Sequence, residues 1–259
     1  MARRCLWLLP LLMLTGCESL FFFPSRQLQH TPAELSLQYQ DVFFAAADGT
    51  QLHGWFLPAQ GAVKGTVLHL HGNAANIGDH VWAVRWLPAA GYQVLTFDYR
   101  GYGRSQGEPS LAGAQQDLDA ALGFLLQRSD VAPKQVVVLA QSLGGAMGIY
   151  NPAHSPWRNQ VRLLVVDSAF SSYQGIAREK MAGLWLTWPV QWLPFLLLSD
   201  DYAAQQSVAR LAPIPVLFIH GTGDEVVPAH HSEQLYAAAN SPKTLWLLPN
   251  VPHTAGLEL

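Results

Sequence analysis

The stretch "VVVLAQSLGGAMG", Val136 to Gly148, decides how the rest of the chain is read. A short apolar run rich in β-branched residues, bounded by turn signals, reads as a buried strand. This run ends in a single hydroxyl, Ser142, followed by residues almost without side chains. An ordinary strand-to-helix turn accepts Asn, Asp or Ser among neighbours of any size. Here Ala140, Gly144, Gly145 and Ala146 crowd around Ser142. Small residues so placed imply a backbone passing very close to another part of the chain.

Outward from this strand the same pattern repeats. "TVLHLHG" (66–72), "YQVLTFD" (92–98), "RLLVVDS" (162–168), "PVLFIHG" (215–221) and "TLWLLP" (244–249) are further short apolar runs. Upstream, "LSLQYQDVFF" (35–44) and "QLHGWFLP" (51–58) alternate and are joined through Asp48-Gly49, a hairpin signal. Between strands, "SLAGAQQDLDAALGFLLQR" (110–128) places Leu111, Ala114, Leu118, Ala121, Leu122 and Leu125 on one helical face, with Ser110 as N-cap. Strands alternating with helices predict an α/β fold: an eight-stranded, mostly parallel sheet with helices on both faces, and the first hairpin as an antiparallel edge. Functional groups of such sheets gather beyond the carboxyl ends of the strands. Those positions carry Gly72-Asn73, Asp98, Ser142, Asp167, Asp224 and His253.

The 259 residues fit one large domain. Half are hydrophobic, enough for a sizeable core, and a net charge of −3 with 13% charged residues gives no electrostatic footprint of a nucleic-acid binder. The start of the chain differs from the rest: Arg3 and Arg4 precede the apolar "CLWLLPLLML" and the small-residue break "TGCES". That is the layout of an export signal, and Leu6–Leu14 is too short for the roughly 20 residues that cross a bilayer. "LTGC" (Leu14–Cys17) resembles the bacterial lipobox. The resemblance implies a signal peptide over residues 1–16, lipid on Cys17 and a lipid-anchored linker over 17–36, ahead of one domain over 37–259. Glu18 after the cysteine then implies the outer membrane of the cell envelope. Cys5 and Cys17 are the two cysteines of the sequence, so the remaining chain has no thiol for a disulfide or a Cys-based metal site.

Four segments, "HLHGNAANIG", "FDYRGYGRSQGEPS", "LAQSLGG" and "HGTGDEVVP", together with "DSAFSS", resemble the α/β-hydrolase superfamily, nearest its Bem46-type branch. They spread over nearly the whole domain, each at the end of an expected strand. The resemblance makes Ser142 the nucleophile on a strained strand-to-helix turn, with Ala140 replacing the first glycine of G-x-S-x-G. His253 in "NVPHTAG" follows the last strand and is the base candidate. Asp224 matches the family's acid position, ahead of Asp167, while Asp98 and Arg100 read as a tight loop in which each satisfies the other. The chain order Ser, Asp, His is that of α/β-hydrolases. By resemblance the backbone N–H groups of Asn73 and Leu143 receive the oxyanion, a contribution of about 3 kcal/mol each.

Other histidines receive blander readings. His69 and His71 form H-x-H without a third ligand, His220 packs or hydrogen-bonds locally, and His230 and His231 read as a solvated helix start. No metal is expected, and "GYGRSQG" has its third glycine one residue late for a dinucleotide loop, so no cofactor is expected. A small helical cap is expected over about 170–212. Within it, "MAGLWLTWPVQWLPFLLLSDDY" (181–202) repeats Trp185, Trp188 and Trp192 at helical steps. These tryptophans fit either an apolar packing surface or a lid that lines an acyl pocket or touches a membrane interface. Six residues follow His253, where relatives add a closing helix. Either neighbouring loops hold the histidine or the chain is shortened. The function so implied is hydrolysis of a small acyl ester or thioester through an acyl-enzyme. A serine aminopeptidase, or a fold-retaining envelope binding protein without turnover, are the alternatives.

Overall fold

The computed structural model describes residues 17–257. The leader expected over residues 1–16 and the Cys17 side chain expected to carry lipid lie outside the described residues.

Eight strands form one sheet: β1 (Gln40–Ala45), β2 (Gln51–Leu57), β3 (Gly65–Leu70), β4 (Tyr92–Phe97), β5 (Val136–Gln141), β6 (Val161–Asp167), β7 (Val216–Gly221) and β8 (Lys243–Leu248). Their order is β8-β7-β6-β5-β3-β4-β2-β1. Only β2 runs against its neighbours, as the Asp48-Gly49 hairpin requires. Four longer helices are α1 (Leu111–Gln127), α2 (Leu143–His154), α3 (Tyr173–Ala182) and α4 (His230–Ala238). Ser110 caps α1 as expected, its hydroxyl accepting the Gly113 N–H at 3.1 Å.

The period-two alternation of the strands sorts their side chains onto two cores. Leu68 and Leu70 of β3 with Val136, Val138 and Ala140 of β5 join α1 and α2 in the larger core. Val67 and Leu139 point the other way, where they meet Ile77, Val81 and Val84 from short helical turns and Leu28, Leu35 and Leu37 from upstream. The central strand β3 is buried along its whole length, which explains its near-continuous apolar sequence.

Residues of the 17–36 stretch, expected as a lipid-anchored linker, pack against the domain. Phe22 is buried in the larger core, a burial that contributes about 2 kcal/mol. Phe23–Pro24 pairs in parallel with Ala74–Ala75. The Asn76 side-chain amide donates to the carbonyls of Ser25 and Gln27 at 3.1 and 2.8 Å. Prolines and polar residues gave this stretch a linker-like composition, yet its three consecutive phenylalanines anchor it beside the loop that follows β3.

The "DYRGYGRS" loop is also wired differently from expectation. Asp98 accepts the Ile77 N–H at 2.9 Å, whereas Arg100 forms a bidentate pair with Asp117 on α1 and reaches Asp48 at 2.9 Å. Arg100 lies so close over α1 that a Cβ at Gly113 would meet its side chain at 2.4 Å.

Candidate active site

Ser142 leaves β5 with φ 54° and ψ −118°, a left-handed conformation that costs a residue with a side chain on the order of 1–3 kcal/mol. Its surroundings account for the small neighbours. A Cβ on Gly144 would stand 2.4 and 2.5 Å from the carbonyl oxygens of Leu70 and His71, and one on Gly145 2.6 Å from the Ala169 side chain. A Cβ on Gly148 would stand 2.9 Å from the Ala140 methyl. The methyl that Ala140 adds to the usual glycine position is thus accommodated by a glycine one helical turn into α2.

The structure brings the three widely separated side chains together. His253 Nε2 lies 3.0 Å from Ser142 Oγ, and its Nδ1 lies 2.6 Å from Asp224 Oδ2. The other Asp224 oxygen accepts the N–H groups of Val226 and Val227, both at 2.8 Å. Burial works against ionisation of Asp224, but hydrogen bonds from His220, His253 and the Val227 N–H outweigh it and hold the carboxyl well below its usual range. His220 hydrogen-bonds locally, as expected, and in addition reaches the acid. Its Nε2–H donates to the Val227 carbonyl at 2.8 Å and lies 3.2 Å from Asp224 Oδ2, while Ser232 holds Nδ1 at 2.6 Å. Sequence offered one signal for this role: His220 stands four residues before Asp224, across the turn that ends β7.

The loop carrying His253 is held by its neighbours. The Thr254 N–H donates to Ser168 Oγ at 3.1 Å, and the Gln141 amide donates to the Thr254 carbonyl at 3.3 Å and to Asp167 Oδ2 at 3.0 Å. Ser168 in turn donates to Asp167 Oδ1 at 3.1 Å. Asp167, the rival acid, thus supports the loop through Gln141 and Ser168, with no hydrogen bond to His253. At Gly221 a Cβ would fall 1.9 Å from the Val251 carbonyl, so the loop crosses β7 at a point that only glycine permits.

Asn73 and Leu143 flank Ser142 in the wall of one cavity of about 420 Å³. The Asn73 carbonyl is tied by the Tyr102 hydroxyl at 2.6 Å and by the Phe23 N–H at 2.9 Å, which fixes the loop after β3. Leu143 opens α2, where a backbone N–H has no acceptor within the helix. The remaining wall is almost wholly apolar: Phe21 and Phe23, Phe170, Ile176 and Met181 of α3, and Leu198. Among the described residues that line it, Lys180 is the one that is charged.

Trp185, Trp188 and Trp192 do not reach this cavity, nor do they pack as a buried surface. They are 87%, 60% and 51% exposed. Prolines break the segment into a 3-10 turn (Trp188–Val190) and a four-residue helix (Pro194–Leu197), so no continuous helix turns the three rings inward together.

The remaining histidines separate clearly. His69 is buried between Thr96 and Gln141, at 3.0 and 3.1 Å, and burial lowers it to about 4. His71 donates Nδ1–H to the Gly72 carbonyl at 2.7 Å and stays neutral for the same reason. His231 is not solvated as expected but buried, accepting the Ser171 N–H at Nδ1. With Glu179 and His230 it forms a group whose ligand atoms lie within 4.8 Å of one another. Because Nδ1 is already an acceptor, Nε2 carries the proton and faces Glu179 at 3.3 Å. That tautomer leaves no lone pair for a metal.

A parallel sheet with a serine on a strained turn, a histidine after the last strand and an acid after the one before defines an α/β-hydrolase. The family described as serine aminopeptidase, S33, matches residues 61–207, and the chain belongs to that family. It is 38% identical to YfhR of Salmonella typhi over 96% of this chain and 84% of that one. Identity is 34% to the α/β-hydrolase domain-containing protein WAV2 of Arabidopsis thaliana, covering 86% of this chain and 75% of WAV2. It is 26% to bem46 of Schizosaccharomyces pombe, covering 85% and 72%. Among solved structures, the Pyrococcus furiosus esterase Pf2001 superposes with a TM-score of 0.69 at 26% identity, covering 90% of this chain and 89% of the esterase.

Proposed function

We propose that this hydrolase cleaves carboxylic esters or thioesters of apolar acyl groups through an acyl-enzyme on Ser142. One observation carries the proposal: His253 bridges Ser142 and Asp224 at 3.0 and 2.6 Å, with Ser142 in the wall of an apolar cavity. Ser142 Oγ attacks the acyl carbon as His253 Nε2 takes its proton, and Asp224 holds the resulting imidazolium. The oxyanion is received by the N–H groups of Asn73 and Leu143. Collapse breaks the bond to the leaving oxygen or sulfur, which departs with the proton from His253. Water then attacks the acyl-enzyme, giving its proton to His253, and the acid is released as Ser142 regains its proton.

The aminopeptidase reading finds less support in the cavity. An α-ammonium calls for a carboxylate, and none of the described residues lining the cavity is acidic, while Lys180 brings the opposite charge. Likeness to an esterase agrees with the ester reading. By its leader, the mature protein starts at lipid-bearing Cys17 in the bacterial outer membrane. The test is a panel of p-nitrophenyl esters and acyl thioesters from acetyl to dodecanoyl beside aminoacyl anilides. Each added methylene in an apolar pocket gains on the order of 1 kcal/mol, so kcat/KM rises about fivefold per added methylene until the cavity is filled. A steady fall from acetyl onward, or preference for the anilides, would contradict the proposal.

A further inference from the structure

The cavity wall continues into exposed apolar surface. Leu20, Phe23 and Val226 line the cavity yet are 68%, 59% and 49% exposed. The segment 184–198 leaves the rim just after Met181 and returns to it at Leu198, both cavity residues. Between those points it has no charged residue, and Trp185, Leu186 and Leu196 are 87%, 71% and 70% exposed. Large contiguous apolar patches are rare on soluble surfaces and mark sites of contact.

We infer that this rim is a membrane-docking surface and that the cavity opens into the lipid, taking its substrate from the acyl lipids of a bilayer. The inference about substrate rests on the ester-hydrolase reading; the docking surface does not. Three observations favour a lipid occupant. Tryptophan, with one apolar body and one N–H, is enriched at the membrane interface, and three of the exposed rings are tryptophans. No helix among the described residues is long and apolar enough to cross a membrane, so the segment would lie along the surface. In the sequence the apolar run Leu6–Leu14 and Cys17, the residue expected to carry lipid, come shortly before Leu20 of the cavity wall. An N-terminus held to a bilayer through Cys17 would keep Leu20 and Phe23, and with them the cavity, close to the lipid.

The test uses the full chain carrying Ser142→Ala, so that no lipid is consumed, bound to phosphatidylcholine–phosphatidylglycerol vesicles with brominated acyl chains. Bromine quenches only tryptophans that enter the lipid. The wild-type set of tryptophans is expected to be quenched markedly more than a Trp185→Phe/Trp188→Phe/Trp192→Phe variant; equal quenching in the two would overturn the docking surface. A full chain that is dimeric without vesicles and equally quenched in both forms would assign the face to a second copy, also against the proposal. In the active chain, Trp185→Ser/Leu186→Ser/Leu196→Ser should lower turnover of vesicle-embedded monoacylglycerol by about tenfold or more and leave water-soluble p-nitrophenyl butyrate within about twofold. An equal fall on both substrates would refute delivery from the bilayer. Failure of the unsubstituted chain to cleave either ester would instead refute the hydrolase reading, and the quenching comparison would still decide the surface.

Discussion

Replacing Asp224 and Asp167 in turn by Asn separates a residue that orients the base from one that supports its loop. Asp224→Asn keeps an oxygen for the Val226 and Val227 N–H groups, which lie 2.8 Å from Oδ1, so the turn stays in place. The new amide nitrogen then faces His253 Nδ1 at the 2.6 Å position, where Asp224 had accepted a hydrogen bond. Two donors cannot meet there, so His253 moves its proton to Nε2 and points it at Ser142. In that tautomer the histidine cannot take the serine proton. Loss of the correct tautomer lowers kcat by about 10⁴, or about 5.5 kcal/mol of activation free energy. Asp167→Asn keeps an acceptor for Gln141 or Ser168 and touches the reacting atoms nowhere, so activity should stay within about tenfold of wild type. The assay is kcat and KM on p-nitrophenyl butyrate, with thermal melting to confirm that each variant is folded. A folded Asp224→Asn enzyme within tenfold of wild type, or an Asp167→Asn enzyme as impaired as Asp224→Asn, would refute the assignment.

Three further outcomes can be measured, two drawn from the structure and one from the leader sequence. Gly144→Ala forces a methyl against two backbone carbonyls and should destabilise the fold by about 1–3 kcal/mol, while lowering kcat more than KM because it displaces the loop bearing Asn73; melting and kinetics together check this. Buried His69, lowered to about 4, contributes stability that is complete above the ordinary value near 6.5 and is lost as pH falls toward 4, by roughly 3 kcal/mol, so urea unfolding should show a steeper acid decline in the wild type than in His69→Gln. If lipid on Cys17 retains the protein, Cys17→Ala should block processing and release the chain from the outer-membrane fraction, whereas unchanged processing and retention would remove the lipoprotein from the account.

Strands and the order of chemical groups were legible in the sequence because both are local. Each of the apolar runs read as a strand became one, and Ser142, Asp224 and His253 lie one, three and five residues beyond the ends of β5, β7 and β8, so the parallel topology was enough to gather them on one edge. Partnerships made by packing were not legible. Arg100 faces Asp117 because α1 lies against the loop after β4, not because of anything in "DYRGYGRS" itself. His231 is buried by α4 docking beside Ser171, a contact between residues 60 positions apart. Gln141 and Ser168 adjoin residues already singled out, yet only the fold shows that both secure Thr254. Trp185, Trp188 and Trp192 expose the limit of periodicity: helical spacing of apolar residues looks the same whether the face meets a core or stands open. The phenylalanines after Cys17 were hidden by their polar, proline-containing surroundings, and a two-residue pairing is too short to leave a pattern.

The measurement closest to the central claim is covalent labelling of the full chain with a fluorophosphonate, in the absence of added metal or cofactor, followed by mass spectrometry of the peptides. Labelling requires a serine activated by its histidine and an oxyanion site ready to receive the phosphonyl oxygen. The account predicts one adduct, on Ser142, abolished by Ser142→Ala and by His253→Ala in variants that melt as folded proteins. A folded wild-type chain that takes up no label at Ser142, or takes it up equally well without His253, would contradict it.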